Sequence, residues 1–513
     1  MAPALRAMPW LLALGSAATY LASRLDAHSY DAFRFAFSAW ASKNPGQCLL
    51  LPANLLYPHL LWTLSLPARL AGRLPDTLLT GQVLGALSAA LAVALFYVRA
   101  RAAVADWRTA LLAALFLAAS FAVWLCAVEA APQAPALALG MGALILAWPA
   151  RGRAGLGRLG LAGLLAAAAS VLDLGASLWL VPLGAAAALE SPKAERRRRV
   201  AVVAFPAALI LAAAYWLAWR RVQSAGLMAE PSQWLALLQP KGPQAAGALR
   251  VFLYFKTFKF ALLYRTPWFV GLPLTLGFAG LARAWRREPR PVIVFGLWAV
   301  GGAVRAVSID PAQTQVWALA MPGVMGLFAC SLDSGLAIPR LRRLRVGALL
   351  VGALTLFVFV GNIHGWLPRF ELLAGYGETD QAARRLAELS DSPEDLFLAP
   401  QGFFGFVLPY SHGRPWVLEP SGIRQSAAAQ GRDVPAWASE AVGAALRQGK
   451  SVFVHKDYLD PESPLYASQT LPPELADGLA AALGGPGEAP GGFKEPYVFR
   501  LWRGVQRNAS LRP

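Results

Sequence analysis

Acidic side chains are scarce in this chain: 29 aspartates and glutamates stand against 47 lysines and arginines in 513 residues. Cysteine is scarcer still. Cys48, Cys126 and Cys330 are scattered, with no C-x-x-C spacing, which argues against a disulfide framework or a zinc site. His412 and His455, in the tail, stand without a G-x-S-x-G element or a metal-ligand neighbour, so the tail carries no hydrolase or metal signature. Internal repeats and low-complexity linkers are missing too. Polar surface is in short supply: 15% of residues are charged and 57% are hydrophobic. A soluble protein of this length needs far more polar surface to cover itself. Long apolar runs recur instead from residue 9 to residue 364, the mark of a polytopic membrane protein.

The basic excess, a formal +18, falls in short tracts between apolar runs: 99–108, 151–158, 193–200, 283–290 and 340–345. That is the positive-inside pattern rather than a nucleic-acid stripe, and no nucleic acid is expected as a partner. Apolar segments lie near 9–24, 78–98, 109–126, 131–149, 159–172, 174–189, 200–218, 268–285, 291–308, 315–334 and 346–364. Placing the basic tracts inside the cell sends the Asp26–Asp31 stretch, the turns at Glu129, Asp173 and Asp310, and the loop 219–267 outside. The acids and the bases sort to opposite sides. The first apolar run reads as an uncleaved helix with its N-terminus in the cytoplasm.

"LLLPANLLYPHLLWTLSLPARLAG" (49–72) is apolar, yet counting it as a crossing breaks the charge rule. Its Pro52, Pro58 and Pro67, with Asn54 and His59, suit a juxtamembrane or re-entrant helix pair on the outer face. The fold expected is an all-α polytopic membrane bundle of about eleven transmembrane helices plus outer juxtamembrane helices. It covers 1–367, including outer loops 25–77 and 219–267. From residue 368 the pattern changes to amphipathic helix, short apolar strands ("GKSVFVHKDYL", "EPYVFRLWRG") and a helical "PPELADGLAAAL". Residues 368–513 are expected to form a small extracytoplasmic α/β soluble domain on an inner (plasma) membrane protein.

The outer face holds the chemistry. Asp26 and Asp31 are five apart, about 140° round a helix, so they converge only through a loop and one of them is the candidate base. Tyr30, Phe33, Phe35, Phe37 and Trp40 around them suit either an aromatic belt or a sugar- or lipid-packing surface. The stretch 240–269 carries Lys241, Arg250, Lys256, Lys259 and Arg265 and no acid, interleaved with aromatic rings. Positive charge outside the membrane suits a lipid phosphate or anionic headgroups. Arg305, about one turn below Asp310, is a further cation for it. A leaving phosphate needs cations, and an acceptor hydroxyl needs a carboxylate base within hydrogen-bond reach.

Three stretches carry a resemblance. "SYDAFRFAFSAW" is similar to the Asp-bearing first loop of the GT-C class of integral-membrane glycosyltransferases, which includes protein O-mannosyltransferases and lipid A aminoarabinose transferases. "PANLLYPHLLW" resembles a "PHHLLYxPL"-like element of bacterial members at Pro52, Leu55, Leu56 and Tyr57, with Ala53 and Asn54 where the histidine pair stands. "SFAVWLCAVEAAPQAPALA" resembles "SxxxWxxAVExExYAL" at Ser120, Trp124, Ala127, Val128 and Glu129, with Ala131 and Gln133 departing from it.

The resemblance implies transfer of a sugar from a polyprenyl-phosphate donor, at the outer face, to a protein, lipid or glycan acceptor. Asp31 or Asp26 is then the base, Glu129 is a further catalytic candidate that can face the same cavity, and Lys256, Lys259, Arg265, Arg305, Tyr57 and His59 are the candidates to hold substrate. The motif departures leave room for a degenerate member. No cofactor or metal is implied, since Asp26, His28, Asp31 and His59 make no recognisable ligand set. Two other classes compete. A lipid or sugar transporter calls for inverted repeats and broken midplane helices, which the sequence does not show. A non-catalytic scaffold of envelope assembly places its function in the tail.

Overall fold

The computed structural model describes residues 3–24, 29–150, 152–224, 231–235, 256–258, 262, 278, 280–308, 314–336, 374–400, 404–463, 466, 471–493 and 497–504. The chain divides into two compact units, Met1–Asp26 with Ser38–Arg369, and Ala27–Phe37 with Phe370–Pro513. The sequence reading kept 25–77 with the bundle. Residues 27–37 instead count with the C-terminal unit, because Phe33 and Phe37 find aromatic partners there.

The first unit is helical. Two unbroken helices are long and apolar enough to cross a membrane, Thr77–Ala103 of 27 residues and Arg196–Ser224 of 29. Trp107–Ala119 and Phe121–Val128 together make a third of spanning length, bent by 55° at Ser120. Gln133–Ala147, Leu156–Leu172 and Leu174–Leu189 are apolar but shorter. Pro289–Ser308 and Met321–Leu336 pair in the later half. The expected segment 346–364 and most of the loop 219–267 lie outside the described residues. The stretch read as juxtamembrane forms helices Tyr57–Leu64 and Leu66–Leu70, of 8 and 5 residues, too short to span.

Small residues let these helices approach closely. A Cβ on Gly163 would sit 2.3 Å from the Val203 carbonyl oxygen, and one on Gly140 would sit 2.2 Å from the Trp179 ring. Trp179 stacks on Trp298 at 4.6 Å, and the Trp298 indole donates to the Leu319 carbonyl at 3.0 Å.

The described basic turns gather at one end of the helices. There the Arg99 guanidinium lies 3.3 Å over the Trp148 ring, and Arg199 donates to the Ala154 carbonyl at 2.8 Å. At the same end Asp333 accepts from the Asp106 amide at 3.0 Å and meets Arg287 at 3.6 Å. Four of the five basic tracts thus meet one another, and the fifth, 340–345, lies outside the described residues.

The second unit is α/β. Its sheet has the order β2–β1–β3–β4, with β1 (Leu396–Leu398) parallel to β2 (Val417–Leu418) and β3 (Val452–His455), and β4 (Phe499–Trp502) antiparallel to β3. Alternate residues face opposite ways. Leu398 and Val454 join Val442, Leu475 and Leu479 in a core with helices Val434–Arg447 and Glu474–Leu483. Phe397 and Phe453 stack on the other face at 4.9 Å. Buried Asp395 ties the starts of the central strands β1 and β3, accepting from Ser390 Oγ at 2.8 Å and the Ser451 amide at 2.9 Å.

Candidate functional site

The end of the first unit opposite the basic tracts is built from the stretches that the sequence singled out. "LPANLLY" turns on itself, the Asn54 amide donating to the Leu51 carbonyl at 3.0 Å. It then docks on the Asp173 turn. The Asn54 side chain donates to the Leu172 carbonyl at 3.1 Å, and the Leu174 amide donates to the Ala53 carbonyl at 2.9 Å. The Tyr215 hydroxyl donates to the Pro52 carbonyl. Asn54, which stands where a histidine was expected, is thus a structural tie between two turns.

Tyr57 opens the next helix and is fully buried. Burial first, then the nearby Cys126 and Glu129, pushes its hydroxyl well above the ordinary tyrosine range. Glu129 caps the helix Phe121–Val128 and is 1% exposed, so it is no solvated turn residue. Its turn is clamped on three sides. Gln82 donates to the Val128 carbonyl at 3.0 Å, Trp124 donates to Ser23 Oγ at 2.9 Å, and the Cys126 thiol donates to the Gln315 carbonyl at 3.4 Å. Gly85 lets Thr77–Ala103 lie against the same turn. A Cβ there would meet the Cys126 and Glu129 carbonyl oxygens at 3.0 Å.

Four residues on from Glu129, Gln133 donates to Asp173 Oδ2 at 3.0 Å. Asp173 Oδ1 accepts from the Gly175 amide at 2.8 Å and faces Arg305 Nε at 3.9 Å. Burial raises the Asp173 carboxyl above its ordinary range, and Arg305, the Gly175 amide and Gln133 act against that rise. Gly175 makes room for Arg305, whose Cγ would lie 2.5 Å from a Cβ at that position. Gln133 and Asp173 were missed as a pair, being 40 positions apart. The signal available was an aspartate preceding "LGASLW" at a helix start, where its side chain caps a backbone amide.

The remaining candidates are dispersed. His59 is half-buried, with Arg221 Nη1 3.4 Å from its Nε2; burial and then Arg221 hold it below the usual histidine range. Lys256 is exposed in a helical turn whose Phe258 meets Trp317 at 5.0 Å. Asp26, Lys259, Arg265 and Asp310 lie outside the described residues. Asp31 belongs to the second unit, in the first turn of helix Tyr30–Ala41. Burial lifts its carboxyl above the ordinary range, and Arg34 opposes that lift. The far end of that helix, in the first unit, is held by Arg69, which donates to the Ala39 and Trp40 carbonyls at 2.6 and 3.2 Å. Among the described residues no group of three or more histidine, cysteine or acidic side chains is placed to hold a metal ion.

The structure brings together Tyr57 and Glu129, and beside the Asp173 turn Arg305, in an enclosed set of hydrogen-bonding and charged groups. Such a set can orient a polar ligand where water is scarce.

No family model matches the sequence, and neither does any curated protein. Solved structures do match. ArnT from Cupriavidus metallidurans bound to undecaprenyl phosphate is 15% identical, with a TM-score of 0.64 over 99% of each chain. The apo state of the same protein gives 15% identity and a TM-score of 0.62 over 98% of each chain. The apo oligosaccharyltransferase of Archaeoglobus fulgidus is 11% identical over 81% of this chain and 65% of that one, with a TM-score of 0.44. Over its whole length, the chain shares the fold of ArnT.

Proposed function

We propose that this protein is a membrane glycosyltransferase that takes a sugar from a polyprenyl-phosphate donor at the outer face of the membrane. The whole-length likeness to ArnT bound to undecaprenyl phosphate is the observation that carries this reading. In it the bundle has about eleven spans, a cytoplasmic N-terminus and an extracytoplasmic C-terminal unit. Asp31, or Asp26 in its place, takes the proton of an acceptor hydroxyl. The hydroxyl oxygen bonds to the anomeric carbon as the bond from that carbon to the phosphate oxygen breaks. Lys256, Lys259, Arg265 and Arg305 stabilise the charge on the departing polyprenyl phosphate. Tyr57, His59 and Glu129 line the sugar site, and the acceptor is a protein, lipid or glycan of the envelope.

The test uses the full chain in nanodiscs with a panel of undecaprenyl-phosphate hexoses and pentoses, envelope extract as acceptor, and release of undecaprenyl phosphate as readout. The wild type is expected to release it, and either Asp31→Asn or Asp26→Asn to slow release by about 10²- to 10⁴-fold. Full activity in both variants removes the base assignment. Failure of the wild type both to turn over the panel and to retain undecaprenyl phosphate in native mass spectra removes the donor class.

A further inference from the structure

Helix Tyr30–Ala41 and helix Phe404–His412 meet through two aromatic pairs within the second unit. Phe33 lies edge-on to Tyr410 with ring centroids 6.3 Å apart, and Phe37 meets Phe406 at 5.5 Å. Each pair of positions is four residues apart on its own helix, one turn along one face. The order is reversed between the two helices, so they run antiparallel, gripped at two successive turns.

The partner helix is itself firmly seated. The Gly405 amide at its start donates to Glu419 Oε1 at 2.9 Å. Just past its end, Arg414 donates to the Ala387 and Ser390 carbonyls at 3.1 and 3.0 Å. Asp31 stands two residues before Phe33, about 200° round the helix, so the aromatic grip lies on the far side from the carboxylate. Phe33, Phe35 and Ala36 are buried, at 4%, 3% and 0% exposure, which leaves the helix little freedom to roll.

We propose that Phe406 and Tyr410 of the C-terminal unit are positioning residues for Asp31, setting the rotation of its helix from behind. The proposal rests on the reading of Asp31 as the base. Its leverage is geometric. A side chain tip stands about 5–6 Å from the helix axis, so a roll of about 10° moves the carboxylate by about 1 Å. A displacement of that size costs about 10²-fold in rate when the reacting atoms must align.

The experiment compares Phe406→Ala, Tyr410→Ala and the milder Phe406→Met and Tyr410→Phe in the full chain in nanodiscs. Hydrogen exchange of the 30–37 amides is expected to quicken in the alanine variants, while 77–103 and 452–455 keep their protection. Turnover on the undecaprenyl-phosphate panel is expected to fall 10- to 100-fold in kcat with KM unchanged, and the milder variants to recover most of it. Combined with Asp31→Asn, the alanine changes should add no further loss.

Unchanged exchange at 30–37 overturns the mount. Full turnover despite faster exchange overturns the positioning role, as does an undiminished added loss in the Asp31→Asn background. If Asp31→Asn alone is fully active, the base reading fails, and the exchange result then reports the mount separately.

Discussion

Asp31 works against its own surroundings. Burial favours its protonated form, so its folded pKa lies above the ordinary aspartate range, with Arg34 holding the rise in check. The stabilising contribution of such a group is complete below its unfolded pKa and is lost as pH climbs through the folded value. As the proposed base, Asp31 must be charged to act, so the form the proposal needs is the less stable one. The acidic limb of kcat/KM is therefore expected above the ordinary aspartate range, with activity falling as pH drops through it. Arg34→Gln removes the opposing charge and should move that limb to higher pH. A limb that stays put or moves down separates it from Asp31. Gln133 teaches a related lesson. In sequence it is a departure from a family pattern, while in the fold it is the donor that holds buried Asp173.

At the scale of elements, glycine decides how near two pieces of backbone come. The helix Thr77–Ala103 touches the Glu129 turn through Gly85, where an added Cβ meets carbonyl oxygens at 3.0 Å that cannot swing aside. Gly85→Ala is expected to destabilise by about 1–3 kcal/mol and to lower turnover with it, by displacing Glu129. Gly15→Ala, in Pro3–Ala22 with nothing within 4 Å, should instead stabilise by about 0.5–1 kcal/mol. Thermal unfolding of both variants in detergent checks the contrast, and equal shifts would mean the contact at Gly85 is not tight.

Element types were largely legible. Among the described residues the apolar runs are helices, two or three of them long enough to cross a membrane, and "SVFVH" and "VFRLW" hold β3 and β4. Pairings were not. The spacing of Phe33 and Phe37 shows that one helix face seeks a cover, and the same holds for Phe406 and Tyr410. Neither spacing names its partner, so an aromatic belt explained the first pair equally well. The strand order β2–β1–β3–β4 escaped for the same reason.

For the molecule as a whole, charge was the readable quantity. The cost of carrying arginine across a membrane sorts basic turns to one side, and in the first unit the four described basic tracts meet at one end of the helices. Short buried polar ties such as Asn54 to Leu172 carry no such long-range signature and needed coordinates. Labelling tests the orientation. Cys48, Cys126 and Cys330 are all buried, so background is low. In intact cells Ala102→Cys is expected to resist an impermeant maleimide and Leu70→Cys, 79% exposed, to react. The reverse pattern inverts the topology.

The two aromatic pairs also carry a consequence in time. Phe33 and Phe37 leave the ribosome long before Phe406 and Tyr410, which lie more than 360 residues further along the chain. A nascent chain halted before residue 404 carries the helix that bears Asp31 without the helix Phe404–His412 that seats it. On the proposed reading of Asp31 as the base, such a chain lacks its positioned carboxylate, and turnover is expected only once residues 404–412 have been made.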